Sequence, residues 1–347
     1  MKVLINNEVY NLTETEKFGG EGDLYTVNYN GVTKCVKVYY PEKRTPYNER
    51  KIITLINKFK KISFGGIENH IAFPEYPVYE VSSKKFCGFL MKYFNRHIQI
   101  SDLKFSSNHL GYGNTEHHDE DIFTLFDNLF FYLRVLHRAG IILGDINPEN
   151  ILIEQDTLIP CITDFDSVQI GSFYSNSNRR DYVDPSVKVD GIGKHKYFIY
   201  TTDSDIYSMA TIFYEQVVGP KPHFFSTKDP TDTDYKKNIG LSFLDVFIQN
   251  EAKIKKHQLE ALEDKNYRAY AERLSYLQVF YPNILNYLKS IFIEENRFYF
   301  YYKQVRPITI KKIEGILQFK EIELISQPKE DPEEIELFVK QFGINLF

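Results

Sequence analysis

The spacing of apolar residues changes once along the chain, and that change limits what it can fold into. Glu8-Val9-Tyr10-Asn11-Leu12 and Leu24-Tyr25-Thr26-Val27-Asn28-Tyr29 alternate apolar and polar residues, the two-residue period of a strand with one face buried. From about Asp119 the period becomes helical. Ile122, Leu125, Phe126, Leu129, Phe130, Leu133 and Leu136 recur every three or four positions, up to a stop near Ala139-Gly140. A β-rich segment followed by an α-rich one predicts an α+β fold.

Local signals fill in both halves. Asn30-Gly31 is a type I′ hairpin turn, because both central positions need positive φ, and the returning strand is expected over Val32 to Tyr40. Thr45-Pro46 suits the N-cap and first position of a helix carrying Ile52, Leu55, Ile56 and Phe59 on one face. Further strands are expected around Ile71 to Phe73, Val78 to Val81 and Phe86 to Tyr93. Beyond the helix that stops near Gly140, Ile151-Leu152-Ile153 and Leu158 to Thr163 form a hairpin. Helices are predicted over Asp205 to Val218, Gln258 to Phe280, Asn283 to Phe292 and Ile308 to Leu317. The resulting division is a β-rich unit over residues 1–92, an α-helical unit over 93–320 and an acidic tail over 321–347.

Composition removes several classes. Of 347 residues, 42 are Lys or Arg and 47 Asp or Glu, a net charge of −5 that gives no sign of a nucleic-acid partner. A hydrophobic share of 43% supplies a large core and excludes a mainly disordered chain. Cys35, Cys87 and Cys161 are scattered, without metal-ligand spacing, which fits a reducing compartment. No stretch approaches about 20 consecutive apolar residues, and the first residues offer no signal-peptide core, so a cytoplasmic protein away from membranes is expected. His117-His118 beside Asp119-Glu120-Asp121 reads as a solvated turn before the helix. Phe298-Tyr299-Phe300-Tyr301-Tyr302 reads as helix packing.

Four groups of residues carry chemistry. Gly20-Glu21-Gly22 lies between two predicted strands, where glycine lets backbone approach phosphate oxygens and offer N–H donors. Lys37, on the strand after the hairpin, can act as a point charge on phosphates, with Glu49 on the following helix as its positioning partner. Gly144-Asp145-Ile146-Asn147-Pro148-Glu149-Asn150 places a carboxylate and an amide five residues apart ahead of a strand. Asp145 there can orient a hydroxyl proton and Asn150 can offer a neutral oxygen to Mg²⁺. Asp164, in Thr163-Asp164-Phe165-Asp166 after the next strand, supplies a hard anionic oxygen for the same ion.

In this order and context the set resembles the protein-kinase signature. Gly20, Gly22 and Val27 are similar to the Gly-rich loop, with Tyr25 where a third glycine is usual. Lys37 is similar to the strand lysine, and Asn48-Glu49-Arg50 to the helix segment bearing its glutamate. Phe89-Leu90-Met91-Lys92-Tyr93 is similar to the last strand and hinge, and Asp205-Ile206-Tyr207-Ser208 to the opening of the large central helix. The resemblance implies a bilobal kinase-like fold and γ-phosphoryl transfer from ATP with Mg²⁺ to Ser or Thr hydroxyls of a protein substrate. It further implies that Cys35 and Met91 line the adenine pocket, that Lys92 and Tyr93 give backbone hydrogen bonds to the base, and that Glu21 stands in the phosphate loop. The sequence also departs from the pattern. Leu143-Gly144 replaces His-Arg before Asp145, Asn147 replaces a lysine, Asp166 replaces the glycine of D-F-G, and Asp184-Pro185-Ser186 lacks the glutamate of A-P-E. G-D-x-N-P-x-N with D-x-D-S is closest to an atypical bacterial group. A pseudokinase scaffold and an aminoglycoside- or choline-type small-molecule kinase remain as alternatives. Residues 171–202 form the expected activation stretch, with Ser172, Ser175, Ser177, Tyr182 and Tyr200 as modifiable positions that the sequence does not separate.

Overall fold

Seven strands pair antiparallel in one curled sheet: β1 (Lys2–Ile5), β2 (Glu8–Asn11), β3 (Thr13–Phe18), β4 (Gly22–Tyr29), β5 (Val32–Tyr39), β6 (Pro74–Glu80) and β7 (Phe86–Lys92). Their spatial order is β2-β1-β6-β7-β5-β4-β3. The computed structural model describes residues 1–18, 20–61, 66–102, 115–154, 157–177, 179, 181–191, 197–218, 273–274, 276–292 and 294–302. The β4–β5 turn has Asn30 at φ 52° and Gly31 at φ 82°, the left-handed pair expected of Asn-Gly.

Two features of the sheet differ from expectation. Lys2–Ile5 is an additional strand that the sequence signals do not delimit, with Val3 and Ile5 fully buried at a two-residue spacing. Instead of two short strands around Ile71 and Val78, one strand runs from Pro74 to Glu80, while Ile71 makes a single parallel bridge to Ile162. Prolines 74 and 77 cannot donate to the ladder, and the β6–β7 register shifts between Pro74 and Tyr76 and again between Val78 and Tyr79.

Period-two alternation sends the residues of β5 to two different cores. Val36 and Val38 join Val3, Ile5, Leu12, Val27, Tyr29 and Leu90 in a small second cluster. Cys35 and Tyr39, on the other face, join Phe89, Met91 and helix α1 (Pro46–Phe59) in the main core. Thr45 caps α1 by accepting the Asn48 N–H at 3.2 Å, with Pro46 as the first helical residue.

The described part of the chain after β7 mixes helices with short strands. It contains α2 (Thr115–Arg138), α3 (Thr202–Val218) and α4 (Pro282–Phe292), together with short pairs of strands. β8 (His97–Gln99), β10 (Ile151–Glu154) and β11 (Pro160–Ile162) form a three-stranded sheet in the order β11-β10-β8. β9 (Ile141–Ile142) pairs with β12 (Gln169–Ile170), and β13 (Lys188–Asp190) with β14 (Tyr197–Ile199). From Ser204 to Val218 every residue of α3 except Glu215 is buried, as befits a helix covered on all sides. The whole is α+β, and among the described residues no helix is long and apolar enough to cross a membrane. Most of the helix expected over Gln258 to Phe280, all of that over Ile308 to Leu317, and the tail lie outside the described residues.

Two further expectations are corrected, and Asp184 gains an ion partner. Asp119 is not in a solvated turn: it is fully buried in α2, and its two carboxylate oxygens are taken by the Arg273 guanidinium. Asp184 makes an ion pair with Arg297 Nε at 3.1 Å, and the guanidinium lies over the Tyr207 ring. Residues 298–302 pack as expected, with Phe300 and Tyr302 buried, but outside any helix.

Candidate functional site

Lys37 sits at the centre of the sheet, on the face turned to the main core, and is only 6% exposed. Its ammonium reaches Asp164 Oδ1 at 2.6 Å and Asp166 Oδ1 at 2.9 Å, joining groups 127 and 129 residues apart in sequence. Burial acts to strip the proton from Lys37, but the two carboxylates outweigh it and raise its pKa. Burial likewise pushes the Asp164 carboxyl up, yet the Lys37 charge and hydrogen bond hold it below the ordinary carboxylate value. Asp166 keeps less of that benefit. Burial, with the Asp164 and Glu21 charges, pushes it up to about 6 against the pull of Lys37, and its Oδ2 has no hydrogen-bond partner. Asp164 is at φ 64°, left-handed backbone that Asp tolerates better than most residues and that often marks a functional site.

The loop that presents Asp145 is built from below by α3. The Asp205 carboxylate accepts the Leu143 N–H at 2.7 Å and the Gly144 N–H at 2.8 Å, and His137 Nε2 lies 2.9 Å from it. Gly144 has φ 75°, and a Cβ there would meet the Tyr200 ring at 2.8 Å, so only glycine fits. Asn147 shapes the same loop. Its Oδ1 accepts the Glu149 N–H at 3.0 Å and its Nδ2 donates to the Asp145 carbonyl at 3.2 Å. Asn150 Nδ2 donates to the same carbonyl at 3.0 Å, leaving its amide oxygen for another partner. Asp145, Asn150 and Asp164 line one small cavity with Ser167 and Met209.

Asp145 Oδ2 accepts the Ser177 hydroxyl at 2.7 Å, while its Oδ1 is buried without a partner. Burial raises the Asp145 pKa, partly offset by the Ser177 hydrogen bond. The carboxylate therefore already holds an alcohol in the position of a proton donor. Of the five hydroxyl residues named in that segment, Ser177 is the one with a hydrogen bond to Asp145 among the described residues.

Other expected site residues divide. Cys35 and Met91 face each other in register on β5 and β7, both buried in the main core. Lys92 ends β7, its ammonium donating to the Asn69 carbonyl at 2.6 Å, and Tyr93 follows with its ring exposed. Gly20 is open on all sides, and Glu21 pairs with Lys43. Gly22 serves strand packing, since a Cβ would lie 2.3 Å from the Val38 carbonyl oxygen.

Two expected residues are not brought to the site. Val27 faces the opposite, second cluster, because β4 runs without a bulge opposite β5 and odd positions point away; Leu24, opposite Lys37, packs on the Lys37 side. Glu49 makes no ion pair with Lys37. It stands on α1 beside the Tyr79 hydroxyl, whose pKa burial raises and the Glu49 charge raises further. At about 100° per residue, Glu49 and Lys51 flank the apolar stripe of α1 on opposite sides, and it is the Lys51 flank that turns inward. Lys51 is 3% exposed, and burial pulls its pKa down to about 8 against the charges of Asp166, Glu21 and Asp164. The wheel leaves the choice between flanks open, so sequence reasoning missed Lys51.

The donor set suits a hard cation only in part. Among the described residues no group of three or more His, Cys, Asp or Glu side chains is arranged to hold a metal. One anionic oxygen from Asp164 and one neutral oxygen from Asn150 match Mg²⁺ that completes its shell with phosphate oxygens and water, not a self-contained metal site.

The sequence matches no protein-family model and no curated protein.

Proposed function

We propose that the chain is an ATP- and Mg²⁺-dependent kinase of protein-kinase type, with residues 1–92 and 93–320 as the two lobes and Ser or Thr hydroxyls as acceptors. The observation that carries this reading is the meeting of Lys37 and Asp164 at 2.6 Å, with Asp145 and Asn150 in the wall of the same cavity as Asp164. Four residue types named by their order in the sequence thus meet around one cationic and anionic centre.

In this reading Lys37 holds the α- and β-phosphates, and Asp164 with Asn150 holds Mg²⁺. The metal neutralises charge on the phosphate oxygens when bound. Asp145 orients the acceptor hydroxyl and takes its proton as that oxygen bonds to the γ-phosphorus and the bond to the β-phosphate oxygen breaks, leaving ADP. Its raised pKa favours the proton transfer. Leu24, Cys35 and Met91 form the apolar walls for the base. The Ser177 hydroxyl on Asp145 favours a polypeptide alcohol over a sugar or choline, because a hydroxyl carried on backbone fits against this carboxylate.

The test is transfer of radiolabelled γ-phosphate from ATP to the chain itself, a generic protein and an aminoglycoside, with Asp145→Asn as control. Label on protein that disappears in the control supports the assignment. Label on the aminoglycoside alone selects the small-molecule reading, and the absence of nucleotide binding with or without Mg²⁺ defeats the kinase reading altogether.

A further inference from the structure

The buried face of α1 presents a second amine to the same carboxylates, and nothing in the kinase reading uses it. Among the described residues, Lys51 Nζ reaches only the Tyr174 carbonyl, at 3.5 Å, the outer limit of a hydrogen bond, so most of its three donors are left unspent there. Asp166 Oδ2 is buried with no hydrogen-bond partner among the described residues, the Tyr39 hydroxyl is the uncharged group that faces this carboxylate, and Asp166 is the first of the charges that act on Lys51. Unmet buried donors and acceptors are uncommon in a finished core and indicate a partner still to come. Lys37, meanwhile, is committed to both Asp164 and Asp166. A lysine that must contact phosphates, and an aspartate that must bind a cation, cannot keep that arrangement unchanged. Once Lys37 turns away, Asp166 would be a buried carboxylate with no counter-charge, a costly state.

We propose that Lys51 is a positioning residue of this site: its ammonium takes Asp166 Oδ2 when nucleotide draws Lys37 and Asp164 into other contacts. The ionic tie between α1 and the site then has reversed polarity, with the helix supplying the cation and the loop after β11 the anion. Glu49, turned toward Tyr79, has no part in it. The exchange also explains why Asp166 stands where glycine is usual, since glycine offers no carboxylate to receive Lys51. The inference rests on the kinase reading, because it needs a phosphate ligand for Lys37.

Calorimetric titration of Mg-ADP and of the non-hydrolysable Mg-ATP analogue tests it without turnover. Lys51→Met is expected to weaken binding by at least about tenfold while nucleotide-free melting stays within a few degrees of wild type; methionine fills the same apolar stem volume. Lys51→Gln serves if the methionine variant does not fold. In an Asp166→Asn background the Lys51→Met effect should vanish, because its partner is gone. Glu49→Gln should change binding less than twofold. Wild-type affinity in Lys51→Met with a large loss in Glu49→Gln overturns the exchange and leaves the kinase reading standing, as does a Lys51→Met loss that persists undiminished beside Asp166→Asn. A wild-type chain that binds no nucleotide overturns both.

Discussion

Two buried charge clusters differ in completeness. In one, Arg273 spends two guanidinium nitrogens on both oxygens of Asp119 and a third on the Val217 carbonyl at 2.8 Å. In the other, two lysines and two aspartates share a core region, yet one oxygen of Asp166 and one of neighbouring Asp145 have no partner, and Asp164 is held at a positive φ. A satisfied bidentate pair holds elements together and has nothing left to offer a ligand. An under-satisfied cluster carries a standing cost that a ligand can relieve, which is how strain and unpaired groups come to concentrate at functional sites. The first cluster therefore reads as architecture and the second as a site.

The sharpest way to break that contrast is to remove one carboxylate from the second cluster. Asp164→Ala should lower Mg-dependent ATP turnover by on the order of 10³-fold while leaving far-ultraviolet circular dichroism unchanged. Turnover within a few-fold of wild type would remove the site from this cluster. The reverse signature belongs to the first: Arg273→Met leaves the Asp119 carboxylate buried and unpaired and should cost about 3–5 kcal/mol of stability. The Asp119→Leu/Arg273→Leu double variant should recover most of that loss in urea denaturation. Should the double variant be as unstable as the single one, the pair is not a simple structural clamp.

A finer separation comes from Asp145→Asn, which keeps the side-chain shape and the Ser177 hydrogen bond within reach but removes the proton acceptor. Turnover should fall by about 10²-fold or more with nucleotide affinity unchanged. Loss of nucleotide affinity instead would reassign Asp145 from proton acceptor to ligand binding.

How far the sequence foretold this contrast depends on the kind of signal. Strong local chemistry was legible: the Asn30-Gly31 turn, the Thr45 cap and the apolar periods of α1 and α2 each have a physical cause within a few residues. The meeting of Lys37 with Asp164 was expected only because four motifs came in a particular order. What was missed is set by tertiary geometry. Which flank of α1 turns inward depends on the sheet it packs against, so Glu49 was chosen over Lys51. The parity of Val27 depends on an unbulged register with β5, which only the paired strand reveals. Asp119 gave no warning of burial, because its partner lies 154 residues away.

The smallest expected effect sharpens the comparison from another, half-buried carboxylate that belongs to neither cluster. Asp127, on α2, accepts the Tyr302 N–H at 3.1 Å and has no cation beside it among the described residues, and burial pushes its pKa up to about 6 from an ordinary 3.8. The folded state thus holds its proton more tightly than the unfolded chain does. Between about pH 4 and pH 6 folding takes up a proton at this group, and its contribution to stability falls as pH rises through that window. His70 acts in the opposite sense: burial pulls it down to about 4, so its contribution grows as pH rises toward about 6.5, and the two must be separated by difference. Asp127→Asn keeps an oxygen for the Tyr302 N–H and cannot ionise. Its stability relative to wild type should therefore be near zero at pH 4 and positive at pH 7, read from urea midpoints at the two values. Parallel profiles for the two proteins would mean that Asp127 is hydrated or counter-charged, and that an uncompensated buried carboxylate is peculiar to the Lys37 cluster.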